Sequence, residues 1–256
     1  MSILLPLYIY PWPGAWDPLY WVAANHPHLN FSVVLNPCSG PCLNSTPESP
    51  YVTEMPRLKD YPNIRTLGYV ATNYTDKPID TVIAEIHRYA EWTQVMNDSR
   101  VAVDGIFFDE TPGLYHWQKH DYLAKATAEV RGLEGLGQKV VVYNPGTLPD
   151  ITWNYLDIAD ITVIFEDTFT NFIDANKFNA LKNFHSATNS TKSAFSIMLH
   201  SIGNIPDELL EWTAKEMKEM AEWNFATSVA DAGAYWHSFS PIFSSYIIKY
   251  EEEDGV

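Results

Sequence analysis

Hydrophobic positions along the chain fall into eight short runs, each closing on a polar or turn residue. They cover residues 4–10, 31–36, 66–73, 105–110, 139–144, 161–167, 194–200 and 226–231. Each run is nearly continuous in apolar, β-branched and aromatic side chains, the pattern of a strand buried on both faces. Between them the period lengthens. Residues 78–92 start with Pro at a helix entry and put Ile79, Val82, Ile83, Ile86 and Ala90 on one stripe. Residues 117–133 align Leu123, Ala126, Val130 and Leu133, and residues 206–223 align Leu209, Leu210, Thr213, Met217 and Met220. Shorter helices are predicted at 18–25, 149–155, 171–183 and 237–247. This alternation predicts an α/β fold, a (β/α)8 TIM barrel. It is read as a single domain over 1–256 with a short acidic C-terminal tail, 250–256. A doubly wound open sheet is the competing arrangement. Its nucleotide-binding forms carry a Gly-rich first turn, and the turn here is Pro11-Trp12-Pro13-Gly14.

Composition narrows the partners. The chain has 256 residues and a net charge of −16, with aromatics at 14%. That aromatic content excludes a disordered chain. The acidic balance excludes nucleic acid as a partner, because phosphates require a Lys/Arg stripe, and argues against contact with an anionic membrane. No stretch reaches the roughly 20 apolar residues of a membrane span. The opening residues lack the basic start and small-residue cleavage site of a signal peptide. Cys38 and Cys42 flank Gly40-Pro41 and read as either a small loop disulfide or two reduced thiols in a turn. Sequons begin at Asn30, Asn44, Asn73, Asn97 and Asn189. Together these predict an extracellular or cell-surface protein, with any leader or anchor outside this sequence, and leave a cytosolic protein as the alternative; a monomer is expected.

In a barrel the C-terminal strand ends form the mouth of the site. Those ends supply Tyr10, Asn36, Asn73, Asp109 with Glu110, Tyr143 with Asn144, Glu166 with Asp167, His200 and Asp231. Asp109-Glu110 follows Phe107-Phe108, and Glu166 follows Val163-Ile164-Phe165. A carboxyl on an apolar floor is desolvated, which raises its pKa and suits a general acid. Paired carboxylates across a mouth are the minimum for cleaving a glycosidic bond. A single strand-end acid could equally cap the next helix. The predicted catalytic set is Asp109, Glu110 and Glu166. Strand alternation would send Asp109 and Glu110 to opposite sides unless a loop begins at Asp109.

The predicted substrate contacts are Tyr10, Asn36, Asn73, Tyr143, Asn144, His200 and Asp231. Trp12, Trp16 and Tyr74 are further rings that could stack on sugars, although most barrel aromatics are packing. His116 and His120 have helical i, i+4 spacing but no third ligand nearby, so neither a metal nor another cofactor is predicted.

The segments LLPLYIYPWPGAW, NPCSGP, TLGYVATNY, GIFFDE and VIFED, in this order, resemble the spherulin-4-like (spherulation-specific) family, classified as glycoside hydrolase family 135. The resemblance spans residue 4 to about residue 248. It implies a (β/α)8 barrel and endo-acting hydrolysis of α-1,4-linked N-acetylgalactosamine in galactosaminogalactan, a polysaccharide of fungal cell walls and biofilms. It also implies that the family's essential acids, an adjacent Asp-Glu pair and a later Glu, fall on Asp109, Glu110 and Glu166. The working assignment makes Glu166 the acid/base, with Asp109 or Glu110 as nucleophile or as the group orienting a substrate N-acetyl. A retaining outcome is expected. A non-catalytic, lectin-like barrel is the alternative.

Overall fold

Eight parallel strands close into a barrel in sequence order in a computed structural model that describes residues 1–252. They are β1 (Ser2–Leu7), β2 (Asn30–Leu35), β3 (Ile64–Ala71), β4 (Gly105–Asp109), β5 (Val140–Asn144), β6 (Ile161–Thr168), β7 (Phe195–His200) and β8 (Trp223–Ala226). Helices on the outside are α1 (Asp17–Asn25), α2 (Ser49–Leu58), α3 (Ile79–Met96), α4 (Trp117–Gly132), α5 (Phe169–Phe172), α6 (Ala175–Thr188), α7 (Asp207–Met220) and α8 (Phe243–Glu252). The expected TIM barrel is the observed fold. The strands are buried almost end to end, because helices cover one face and barrel side chains fill the other.

Several expected boundaries move. The last strand is Trp223–Ala226, paired with β7 through Ser196 and Trp223, rather than 226–231. Trp223 therefore belongs to the sheet and not to the preceding helix, which stops at Met220. α2 has no counterpart in the sequence reading. Its Pro50 and Pro56 hide the helical pattern, yet it buries Tyr51, Met55 and Leu58. The helix predicted at 149–155 does not form. The side chain of Asn154 donates to the carbonyls of Asp150 (2.9 Å) and Ile151 (3.3 Å), local bonds that compete with helical ones. Residues 145–160 instead form a long irregular connection between β5 and β6. The helix expected at 171–183 is split into α5 and α6, and the one expected at 237–247 begins only at Phe243.

The tail also begins later than expected. Tyr250 is buried inside α8, and its hydroxyl donates to the carbonyls of Ser2 (3.2 Å) and Glu222 (2.8 Å), fastening the last helix beneath the barrel. Residues 253–256 lie outside the described residues. Cys38 and Cys42 are joined in a disulfide. No described helix is long and apolar enough to cross a membrane.

Close backbone contact sets the position of β4, the strand that carries Asp109. A Cβ added to Gly105 would lie 2.1 Å from the Val140 carbonyl oxygen, so only glycine lets β4 approach β5 this closely. From there the ladder runs in register to its upper end, where Asp109 pairs with Asn144.

Candidate active site

Asp109 closes β4, and the chain then turns sharply. Glu110 takes a left-handed backbone (φ 53°), uncommon for a residue with a side chain. Its carbonyl is held by the Tyr74 N–H (2.6 Å) and the Thr72 hydroxyl (2.8 Å) from the loop after β3. Residues Asn73, Tyr74 and Thr75 are left-handed as well. Strand alternation therefore ends at Asp109, and a loop begins at Glu110. Burial and then Asp109 push up the pKa of the Tyr69 phenol, and the Glu110 charge adds to them.

Asp109 accepts three hydrogen bonds. Tyr69 OH donates to Oδ2 (2.8 Å), while the Glu110 N–H (2.9 Å) and Asn144 Nδ2 (2.8 Å) donate to Oδ1. Glu166 lies on the next strand but one, past an irregularity of register between Val163 and Phe165. Its Oε2 accepts from the same Asn144 Nδ2 at 2.5 Å, and its Oε1 from the Trp236 indole at 3.0 Å. The Asn144 amide is itself oriented, because Oδ1 accepts the Gly146 N–H (3.0 Å). Hydrogen bonds thus run from β3 through β4, β5 and β6 to the loop after β8.

Burial raises the pKa of both carboxyls. In Asp109 this is opposed by its three donors, which favour the charged form. In Glu166 the Asp109 charge adds to burial, while Asn144, Trp236 and Tyr235 oppose it. Three donors thus oppose burial at each carboxyl, while Glu166 feels its neighbour's charge on top of burial. Tyr8 and Tyr235 face the same charges. Burial and then Asp109 push the Tyr8 phenol well up, and burial and then Glu166 push Tyr235 up to about 12, so both remain neutral. Asp167 differs. Its bonds from Asn171, the Thr168 N–H and Lys177 outweigh burial and lower its pKa, leaving a paired, charged group outside the barrel.

The other predicted contacts divide. Asn144 is at the centre. His200 ends β7, and its ring stacks on Tyr235 at 4.1 Å and 6°. Burial shifts this imidazole toward its neutral form. Tyr10 stands at the rim after β1, with its hydroxyl on Glu48 (2.9 Å) and its ring 4.7 Å from Trp12. Asn73 is exposed in the turn after β3. Asn36 accepts the Gly40 N–H (3.0 Å) and so braces the disulfide loop.

Two predictions are corrected. Tyr143 points away from the mouth. It is buried against α4, bonded to Thr127 (2.5 Å) and the Leu123 carbonyl (3.1 Å), because alternation turns it opposite to its neighbour Asn144. Asp231 lies in an exposed turn five residues beyond the end of β8, rather than at a strand end.

Tyr8, Tyr69, Tyr235 and Trp236 escaped the sequence reading. Alternation within β3 could have singled out Tyr69. Nothing periodic marks Tyr235 or Trp236. His116 caps α4 by accepting the Gln118 N–H (3.3 Å). Among the described residues one trio has metal-ligand spacing, Cys38, Cys42 and Glu48, and its two sulfurs are bonded to each other.

Comparison with solved structures gives a strong similarity to Aspergillus clavatus Sph3, crystallised in complex with GalNAc. The identity is 37%, the TM-score 0.91, and the match covers 97% of this chain and 96% of that one. More distant likenesses, at the level of fold, include a chitinase from Bacteroides thetaiotaomicron (12% identity, TM-score 0.57, 100% and 97% covered). Another is the chitinase RmChi1 from Rhizomucor miehei (10%, 0.52, 92% and 97%). A search of the curated proteins finds no match. The model of the spherulation-specific family 4 matches residues 2–249, and the chain belongs to that family.

Proposed function

We propose that this protein is an endo-acting glycoside hydrolase of family 135 that cleaves α-1,4-linked N-acetylgalactosamine in galactosaminogalactan. The observation that carries this reading is the carboxyl pair, Asp109 and Glu166, held at the barrel mouth by one amide nitrogen. Family membership and the likeness to Sph3, a protein crystallised with GalNAc, support the choice of sugar.

Glu166, protonated by burial and by its charged neighbour, donates its proton to the departing glycosidic oxygen. Asp109 faces the positive charge that develops at the anomeric carbon. There it either attacks directly or, with Glu110, holds the substrate acetamide while that group attacks. The neutral phenols of Tyr8, Tyr69 and Tyr235 line the site without competing for the proton. The two facing carboxyl oxygens can lie no farther apart than the Asn144 bonds laid end to end (2.8 and 2.5 Å). That is short of the about 6.5 to 9.5 Å that inverting enzymes leave for a water, and both routes give net retention. The bridged cysteines and the exposed sequon asparagines support an extracellular or surface location.

The test is incubation with galactosaminogalactan and mass spectrometry of the products. Oligomers of N-acetylhexosamine are expected, with the first-formed anomer matching the substrate by NMR. Binding of the polymer without release of reducing ends would replace this reading with the lectin one.

A further inference from the structure

The loops leaving β4 and β5 run outward from the carboxylates and are laced together. The Thr111 N–H donates to the Asn144 carbonyl (3.1 Å), and the Tyr115 N–H to Asp150 Oδ2 (3.3 Å). The His116 N–H donates to the Tyr155 hydroxyl (2.9 Å), which in turn donates to the Leu114 carbonyl (3.0 Å). Gly113 permits the contact, since a Cβ there would sit 2.7 Å from Thr147 Cγ2. Residues 145–160 exceed the about 12–15 residues beyond which a loop without secondary structure is usually functional.

At the outer end of this loop Trp153 is 67% exposed. Its ring lies 5.8 Å from that of Tyr115, which stacks on Tyr155 at 5.5 Å and 29°. Leu114 and Ile151 beside them are also exposed. The chemistry assigned to the carboxyl pair uses none of these side chains. An indole left in water forfeits the burial that would stabilise it, and here neighbouring rings hold it in place. Both loops start at the site itself, one directly after Asp109 and the other directly after Asn144.

We propose that Trp153, backed by Tyr115, forms a remote subsite that stacks on a sugar ring of the polysaccharide several units from the bond being cleaved. Flat aromatic rings suit the apolar C–H face of a pyranose, and this surface carries the continuity with the reactive site that a chain-length-sensing contact needs. The inference rests on the carbohydrate reading above, so its test separates the two. Trp153→Ala is compared with the parent for KM on galactosaminogalactan and on oligomers of about three sugars. Polymer binding is measured in parallel by affinity electrophoresis in a Glu166→Gln background.

The expected result is a rise of about tenfold in KM and a matching loss of binding for the polymer, with a much smaller change for the short oligomer. Trp153→Phe should restore most of the affinity. Trp21→Ala, which removes an exposed indole on α1, should change neither. Equal losses on long and short substrates, or no loss on the polymer, would overturn the subsite while leaving hydrolysis intact. Trp153-dependent polymer binding without any cleavage would keep the subsite and overturn the hydrolase reading. No polymer binding by the parent would overturn both.

Discussion

Asp109 and Glu166 share one donor, the Asn144 side-chain nitrogen, at 2.8 and 2.5 Å. One amide thereby sets the spacing of two groups on different strands and supplies a hydrogen bond to each. Asn144→Ala should lower kcat on the polymer by about 100-fold, the order lost when a preorganised donor is removed. The loss should appear in kcat more than in KM. Asn144→Asp should do at least as badly, since it adds a third carboxylate where a donor stood. Near-normal turnover by either variant would show that the spacing is held by other means.

The carboxylates themselves are tested by isosteric amides. Glu166→Gln and Asp109→Asn should abolish product formation while keeping the circular dichroism spectrum and a cooperative thermal transition. Glu110→Gln should fall with them if Glu110 holds the acetamide. An active Glu110→Gln would leave Asp109 alone opposite the proton donor.

Activity should depend on pH as a bell. The proposed reaction requires Asp109 ionised and Glu166 protonated, so it falls on the acid side as Asp109 gains its proton and on the basic side as Glu166 loses its own. Both carboxyls are shifted upward by burial, so both limbs lie at higher pH than they would for the same groups in water. Stability has the matching sign. A carboxyl whose folded-state pKa is raised favours the folded state below its unfolded value, and that contribution is lost as pH rises through the folded value. Urea midpoints should therefore decline for the parent as pH rises from the carboxylate range toward neutrality, and decline less for Glu166→Gln. Parallel curves for the two proteins would contradict the assignment.

The disulfide closes a short loop, so its removal should cost no more than about 2 kcal/mol on chain-entropy grounds. Cys38→Ser with Cys42→Ser should lower the thermal midpoint modestly and leave kcat unchanged. The Asn36 bond to Gly40 and the Arg88 bond to the Cys42 carbonyl (2.7 Å) persist as other braces on this loop. Loss of turnover in the double variant would place the loop in the active site.

The barrel was legible because parallel strands covered on both faces must be apolar along their length, and eight such runs stand out between helical stripes. That Asp109 and Glu166 stand at strand ends was legible for a related reason, as charges directly after apolar runs. Trp236 and Tyr235 were not, because a loop of no particular pattern delivers them to Glu166, across a sequence separation of 70 in the case of the indole. Tyr143 misled because naming a strand end does not settle which of two neighbours faces inward. β8 was misplaced because Trp223 suits the end of an amphipathic helix as well as the first residue of a short strand.

The hydrogen bonds that cross the mouth from Tyr69 to Trp236 also make activity a report on assembly. Cutting the chain in the connection between β5 and β6 would leave Tyr69, Asp109 and Asn144 on one fragment and Glu166 with Trp236 on the other. Neither piece would hold a proton donor beside its charged partner. The proposed hydrolysis would return only when the two halves closed around each other, so turnover could serve as the readout of fragment complementation.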